Sequence, residues 1–254
     1  MVRRVEEAHD YFGERVAAGY DDSAHTFEPG DVETTVDLLA ELAGRGRALE
    51  LGIGTGRIAL PLAARGVPVH GVDLSSAMVA RLRAKPGADA VGVTIGDFAT
   101  TRVAGTFSLA YLVFNTITNL TTQDAQVACF QNVAAHLEPG GCFVIELGVP
   151  PLRKLPPGQN VLPWRAGPVE WVCYTYDFAA QRSQGHYIDL DGGRGEYRTI
   201  PFRYVWPAEL DLMARIAGLR LRDRWAGWTR EPFTGESQGH VSVWEKRAGP
   251  PSAA

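Results

Sequence analysis

The chain has 254 residues, 45% of them hydrophobic and 21% charged, and a net charge of −4. That suits one large globular domain, or one with a modest insertion, and needs no disulfide or metal staple to fold. Up to Pro150 there are 11 Lys and Arg against 18 Asp and Glu, and beyond it 14 against 11, so neither half has the basic excess of a nucleic-acid binder. No apolar run reaches the roughly 18 residues of a membrane span or reads as a signal peptide. The three cysteines, Cys129, Cys142 and Cys173, lack CxxC spacing. They suit a reducing compartment, and a cytoplasmic location is expected.

Apolar spacing at Val5, Ala8, Phe12 and Val16 predicts a helix over residues 3–19. Asp31 reads as the N-cap of a second helix running to Ala43, with Val36, Leu39 and Leu42 on its apolar side. From there strands and helices alternate: strands at 47–51, 67–72, 91–95, 107–114 and 142–147, and helices at 58–65, 75–84 and 122–136. Such alternation indicates crossover connections and a parallel sheet. After Gly148, Pro150, Pro151, Pro156 and Pro157 mark an irregular connection. Three β-rich runs at 171–178, 185–190 and 197–206 then predict a small antiparallel sheet. One face of it carries Val172, Tyr174, Tyr176 and Phe178 with Ile200, Phe202, Tyr204 and Trp206. Pro207 opens a last helix, Gly218 ends it, and strands at 219–225 and 240–245 close the fold.

The chemistry concentrates where strands end. Glu50-Leu51-Gly52-Ile53-Gly54-Thr55-Gly56-Arg57 joins the first alternating strand to its helix, and its glycines allow a sharp turn and close approach to a ligand. The spacing is G-x-G-x-G, not the G-x-G-x-x-G of a dinucleotide pyrophosphate site, and the acidic Glu50 suits a cationic ligand better than phosphates. Asp73, 23 residues after Glu50 at the end of the next strand, stands where a carboxylate takes both ribose hydroxyls. Gly96-Asp97-Phe98 ends the third strand: Asp97 can accept from an exocyclic amine, and Phe98 either packs on a purine or joins the core.

The loop at 50–56, Asp73, Asp97 and the Leu137-Glu138-Pro139-Gly140-Gly141 turn together resemble the class I S-adenosylmethionine-dependent methyltransferases, over residues 31–147 and 207–247. The resemblance implies an α/β, Rossmann-like seven-stranded sheet of order 3-2-1-4-5-7-6, with the last strand antiparallel. It implies S-adenosylmethionine as cofactor, S-adenosylhomocysteine as product and no metal. Gly52, Gly54 and Gly56 would pack beside the methionine part, Asp73 would hold ribose, and Asp97 and Phe98 adenine. Leu74 and Met78 join this set, Met78 reading equally as core against the loop.

The N-terminal Tyr11 and Tyr20 and the inserted sheet are similar to small-molecule N-methyltransferases acting on amino sugars, glycine or sarcosine, and lincosamides. That likeness implies residues 1–30 as a helical lid over the donor, with Tyr20 touching it. Residues 31–147 and 207–248 form the donor domain, and 148–206 the roof of the acceptor pocket. Trp164, Trp171, Tyr187 and Tyr204 are candidates for its wall.

Four residues are candidates to orient the acceptor: Tyr11, Tyr20, Asn115 and His240. Either tyrosine can serve packing alone, and Asn115 can simply cap a turn. Phe114 and Asn115 end the fourth strand, where donor and acceptor should meet, and Glu146 either contacts a cationic acceptor or is structural. His136 reads as a favourable charge at a helix end. Arg220, Arg222 and Arg224 alternate along one strand as a solvated face. The six histidines show no metal-ligand spacing. Gly235-Glu236-Ser237-Gln238-Gly239 matches a hydrolase elbow but lacks the strand-then-helix context. Transfer to an amine nitrogen of a small molecule is expected, with no nucleic-acid or membrane partner, and with a homo-oligomer left open. O- or C-methylation, a non-catalytic adenosyl-ligand-binding protein and an NAD-dependent oxidoreductase are the competing readings.

Overall fold

The computed structural model describes residues 2–4, 11–21, 29–191 and 194–247. The elements are β1 (Val2–Arg4), α1 (Glu14–Gly19), α2 (Pro29–Ala43), β2 (Ala48–Leu51), α3 (Ala59–Ala64), β3 (Val69–Asp73), α4 (Ser76–Arg83), β4 (Gly92–Ile95) and β5 (Phe107–Leu112). They continue as α5 (Gln123–His136), β6 (Leu137–Gly148), β7 (Val161–Ala166), β8 (Glu170–Asp177), β9 (Arg182–Asp191), β10 (Arg194–Arg203), α6 (Pro207–Ile216), β11 (Leu219–Trp225) and β12 (Gly239–Lys246). Among the described residues no helix is long and apolar enough to cross a membrane.

One sheet has seven strands in the order β4-β3-β2-β5-β6-β12-β11. The first five strands of this list pair in parallel, and β12 runs antiparallel to both β6 and β11. This is the order expected from the sequence, with its antiparallel seventh strand. Near-continuous apolar strands give the sheet two dry faces. On one, Leu49, Leu51, Leu112, Phe143, Ile145 and Trp244 pack under α5 and α6. On the other, Ala48, Leu109, Tyr111, Val144 and Val243 meet Val36, Leu39, Ile58 and Leu62. The turn expected at 139–141 lies inside the long β6, with Gly140 at φ 82°.

A second sheet, ordered β1-β10-β9-β8-β7, is the insertion plus one strand from the N-terminus. Two of its strands depart from the sequence expectation. Val161–Ala166 contains Pro163, which argues against a strand; it is tolerated because β7 is the edge strand and its register shifts at that point. Val2–Arg4 is a strand parallel to β10, and of the helix expected over 3–19 the described residues show Glu14–Gly19, residues 5–10 lying outside them. The second helix begins at Pro29, two residues before the expected cap at Asp31.

Register places Tyr174, Tyr176, Tyr187 and Phe202 on one face of this sheet, the face that packs on Leu152 and Leu155 beyond β6. Trp171 lies on the opposite face and is 55% exposed, so it does not wall a pocket. Phe178 and Trp206 lie just past their strands and are exposed rather than continuing that face.

The two sheets are joined through a buried ion pair. Arg203, at the end of β10, donates to Glu209 of α6 at 2.7 Å and to Gln126 of α5 at 2.6 Å. Gln126 in turn donates to the carbonyls of Ile117, Leu120 and Arg203. Burial alone would raise the Glu209 carboxyl, but hydrogen bonds from Arg203, Gln181 and Gln123 hold it below the usual range. Removing one member strands the others. Arg203→Met is expected to destabilise the fold by about 3–5 kcal/mol, read as a lower urea midpoint. Wild-type stability from Glu209 is present above the ordinary carboxylate pKa of about 4.3 and is lost below it, and the variant should lack that acid limb.

Candidate active site

The loop after β2 is built by backbone geometry. Gly52, Gly54 and Gly56 have φ of 73°, 53° and 77°, the left-handed region that L side chains rarely adopt. A Cβ on Gly52 would lie 2.8 Å from the Thr116 methyl, so the loop and the turn after β5 approach too closely for any side chain there. The N–H of Gly54 points to Asp73 Oδ2 at 2.6 Å, and the N–H of Ser75 to Asp73 Oδ1 at 2.8 Å. Asp73 therefore fixes the loop while its remaining lone pairs can accept further hydrogen bonds.

Glu50 lies behind the loop, 3% exposed, and accepts from the Tyr111 hydroxyl at 2.9 Å. Burial pushes the Glu50 carboxyl well above the carboxylate range, and burial also raises Asp73. Two desolvated acids at neighbouring strand ends fit a ligand that brings positive charge, since a nearby cation favours their ionised forms. The donor set implied by the sequence thus suits a sulfonium-bearing nucleoside.

The remaining donor candidates divide. Met78 is buried, its Cε 3.6 Å from where a Gly54 Cβ would stand. Phe98 belongs to the α5-side core and also turns an edge to Gly52. Asp97 is exposed, with Oδ1 accepting from the Ala99 N–H at 2.8 Å. Leu74 is 68% exposed at the rim.

The N-terminal segment brings Tyr20 to this site. Asp21 accepts from Thr55 of the loop and from Lys85, each at 2.6 Å, and Arg57 donates to the Tyr20 carbonyl at 3.0 Å. Ser75 donates to the Phe12 carbonyl at 2.7 Å, and Arg81 pairs with Glu14. The Arg57 guanidinium stands 5.2 Å from the Tyr20 ring and 5.8 Å from the Phe114 ring, joining lid, loop and the end of β5. Burial, opposed by Arg57, raises the Tyr20 phenol. Tyr11 is 38% exposed in the turn before α1, and among the described residues no hydrogen bond ties it to the loop. Arg57, Thr55, Asp21 and Lys85 were not among the sequence candidates. Arg57 closes the glycine motif and was the legible signal; Asp21 and Lys85 acquire meaning only through the fold.

Beyond β5 the chain turns sharply. Phe114 and Asn115 both have φ of 60°, a left-handed pair of non-glycine residues that costs about 1–3 kcal/mol each. The Phe114 N–H donates to Glu146 Oε2 at 2.8 Å, and Asn115 Oδ1 accepts from the Gly148 N–H at 2.7 Å. Asn115 thus braces the corner through its side-chain oxygen.

His240 is 1% exposed, on the α6 side of the sheet. Its Nδ1 lies 2.8 Å from Ser242 Oγ, which accepts from Arg224 at 2.7 Å, and Arg224 pairs with Asp211. Burial and the Arg224 charge push the imidazole down to about 4, too weak a base for an amine proton near neutrality. Arg224 is consequently not part of a solvated face. A bulge between Leu221 and Asp223 reverses the alternation, setting Arg224 against Ser242 while Arg220 opposes Glu245. His136 is structural for another reason than helix-end charge: its Nε2 accepts from the Val103 N–H at 3.0 Å.

A family profile described as a methyltransferase domain matches residues 48–141. The CcbJ methyltransferase from Streptomyces caelestis is 36% identical, with a TM-score of 0.82 over 93% of this chain and 98% of that one. A cypemycin N-terminal methyltransferase from Streptomyces sp is 28% identical across 93% of this chain and 98% of its own length. CalS10, an amino pentose methyltransferase from Micromonospora echinaspora, shares the fold at 23% identity and a TM-score of 0.65, over 95% of this chain and 100% of that one. The chain belongs to the class I S-adenosylmethionine-dependent methyltransferases and is an enzyme.

Two outcomes follow from the geometry. Asp21→Ala should release α1 from the loop, lowering amide-exchange protection over residues 14–20 by about fivefold, the equivalent of about 1 kcal/mol for a half-exposed pair. Because the His240 pKa is depressed in the fold, its contribution is full above the unfolded pKa of 6.5 and is lost as pH falls towards about 4. His240→Phe should flatten that part of the stability-against-pH curve.

Proposed function

We propose that the enzyme transfers the methyl group of S-adenosylmethionine to an amine nitrogen of a small natural-product, amino-acid or sugar-like acceptor. The observation that carries this reading is the pair of desolvated carboxyls, Glu50 and Asp73, under a glycine loop that Tyr20 and Arg57 cover. The likeness to enzymes named as a cypemycin N-terminal methyltransferase and an amino pentose methyltransferase supports a nitrogen acceptor. When bound, the donor supplies an electrophilic methyl on a positively charged sulfur.

On this reading Asp73 takes the ribose hydroxyls, and Glu50 with the Gly52–Gly56 backbone faces the methionine part. Phe98 and Met78 border adenine, with Asp97 at its amine. Arg57, beside Tyr20, is suited to a ligand carboxylate. The protein's own task is alignment and exclusion of water. Tyr20, whose raised pKa keeps it protonated, orients rather than deprotonates, and His240 is too weak a base to take part.

The acceptor lies under the second sheet, whose inward face carries a row of rings. Tyr174 and Tyr187 share a hydroxyl contact of 3.2 Å, Arg198 stands 4.1 Å from the Tyr187 ring, and Trp164, 53% exposed at the edge of the row, meets Tyr174 edge-on at 6.0 Å. Gly185 makes room for them: a Cβ there would lie 2.8 Å from Tyr187 and 3.1 Å from Tyr174. Such a row favours an acceptor with a ring or apolar body beside its amine.

Calorimetry and turnover test the proposal. The protein should bind S-adenosylmethionine, and Asp73→Ala should weaken that binding by about 1–3 kcal/mol. S-adenosylhomocysteine should form with members of an amine panel. Gly185→Ala should raise the acceptor KM while leaving donor affinity within twofold. Binding without turnover across broad panels would defeat the enzymatic acceptor assignment.

A further inference from the structure

The corner after β5 is held by two side chains that stand in for sheet rungs. β5 and β6 pair as far as Leu112 and Ile145, and there the ladder stops. The next exchanges run from backbone to side chain: the Phe114 N–H to Glu146 Oε2 at 2.8 Å, and the Gly148 N–H to Asn115 Oδ1 at 2.7 Å. They let the chain leave the sheet while its two strands stay locked, and they hold Phe114 and Asn115 at φ of 60°. For a bulky residue such as Phe that conformation is an outlier which the surroundings must impose.

The corner's direction has consequences on the donor side. The Asn115 carbonyl accepts from the Thr118 N–H at 2.9 Å and starts the turn Thr116–Asn119. That turn sets the Thr116 methyl against Gly52. The Phe114 ring meanwhile faces the Arg57 guanidinium, which also faces Tyr20. A corner released from Glu146 would relax towards ordinary backbone and carry both Phe114 and Thr116 away from the loop.

We propose that Glu146 is a positioning residue: it clamps the Phe114–Asn115 corner so that the Phe114 ring is presented to the charged, methyl-bearing end of the donor. The proposal rests on the donor site described above. An aromatic face attracts a cation and gains little from a neutral sulfur. The clamp should therefore be felt in the preference for S-adenosylmethionine over S-adenosylhomocysteine. It needs an acceptor atom for the Phe114 N–H, not a negative charge.

Calorimetry on the full chain with both compounds distinguishes these roles. Glu146→Ala should lower the ratio of S-adenosylmethionine to S-adenosylhomocysteine affinity about fivefold to tenfold, and Phe114→Leu should do the same. Glu146→Gln, whose amide oxygen can still accept, should stay within twofold of wild type. Asn115→Ala, which removes the other brace, supplies the same test should Glu146→Ala fail to fold. An unchanged ratio in the alanine variants would overturn the clamp. So would a Gln variant as impaired as Ala, which would make the charge itself the active feature. Wild-type protein that binds neither compound would overturn the donor assignment and the clamp with it.

Discussion

Glu50 and Asp73 are desolvated side by side at the ends of β2 and β3, and both carboxyls are pushed upward by that burial. A carboxylate taken out of water is costly unless hydrogen bonds or a positive charge offset the loss. Tyr111 supplies one hydrogen bond to Glu50, and the Gly54 and Ser75 amides supply two to Asp73. The glycine loop takes its shape from this need. Only a left-handed backbone brings the Gly54 N–H onto the Asp73 carboxylate while leaving room for Thr116 beside Gly52. The unmet part of the cost is what a cationic ligand removes, so affinity for such a ligand is built into the sheet itself.

Polar contacts tie the N-terminal segment and the second sheet to that centre. Asp21 reaches Thr55 and Lys85, Arg15 pairs with Glu196 of β10, and Val2–Arg4 adds a strand to the same β10. One short stretch of chain therefore touches both the donor loop and the roof. Surface ion pairs of this kind are individually weak. The roof's other end is held differently, by the buried Arg203–Glu209 pair, whose loss is far more costly. The roof is thus firm where it meets α5 and α6 and loosely tied where it meets the lid.

The succession of strands in the large sheet was legible in the sequence, and its order followed from the family resemblance. Parallel strands buried on both faces read as apolar runs, and Glu50, the glycines, Asp73 and Asp97 lie at strand ends where local spacing places them. Arg57 is adjacent to the glycines, yet its stacking between Tyr20 and Phe114 joins residues 37 and 57 positions away, which no local pattern encodes. Asn115 and His240 were identified as candidates by position along the chain. Their hydrogen bonds, to Gly148 and to Ser242, depend on strand pairing that no local pattern encodes.

Sequence alone determined the succession of strands and helices, the glycine loop and the acids beside it, because each depends on neighbours a few residues apart. Tertiary structure alone decided that Pro163 sits in an edge strand, where its missing N–H is harmless. It also decided that a single extra residue near Arg222 turns Arg224 inward, and that Phe114 accepts a left-handed backbone because Glu146 receives its amide. These outcomes depend on which strand lies beside which and in what register, and that is settled only when distant segments pair and exclude water together.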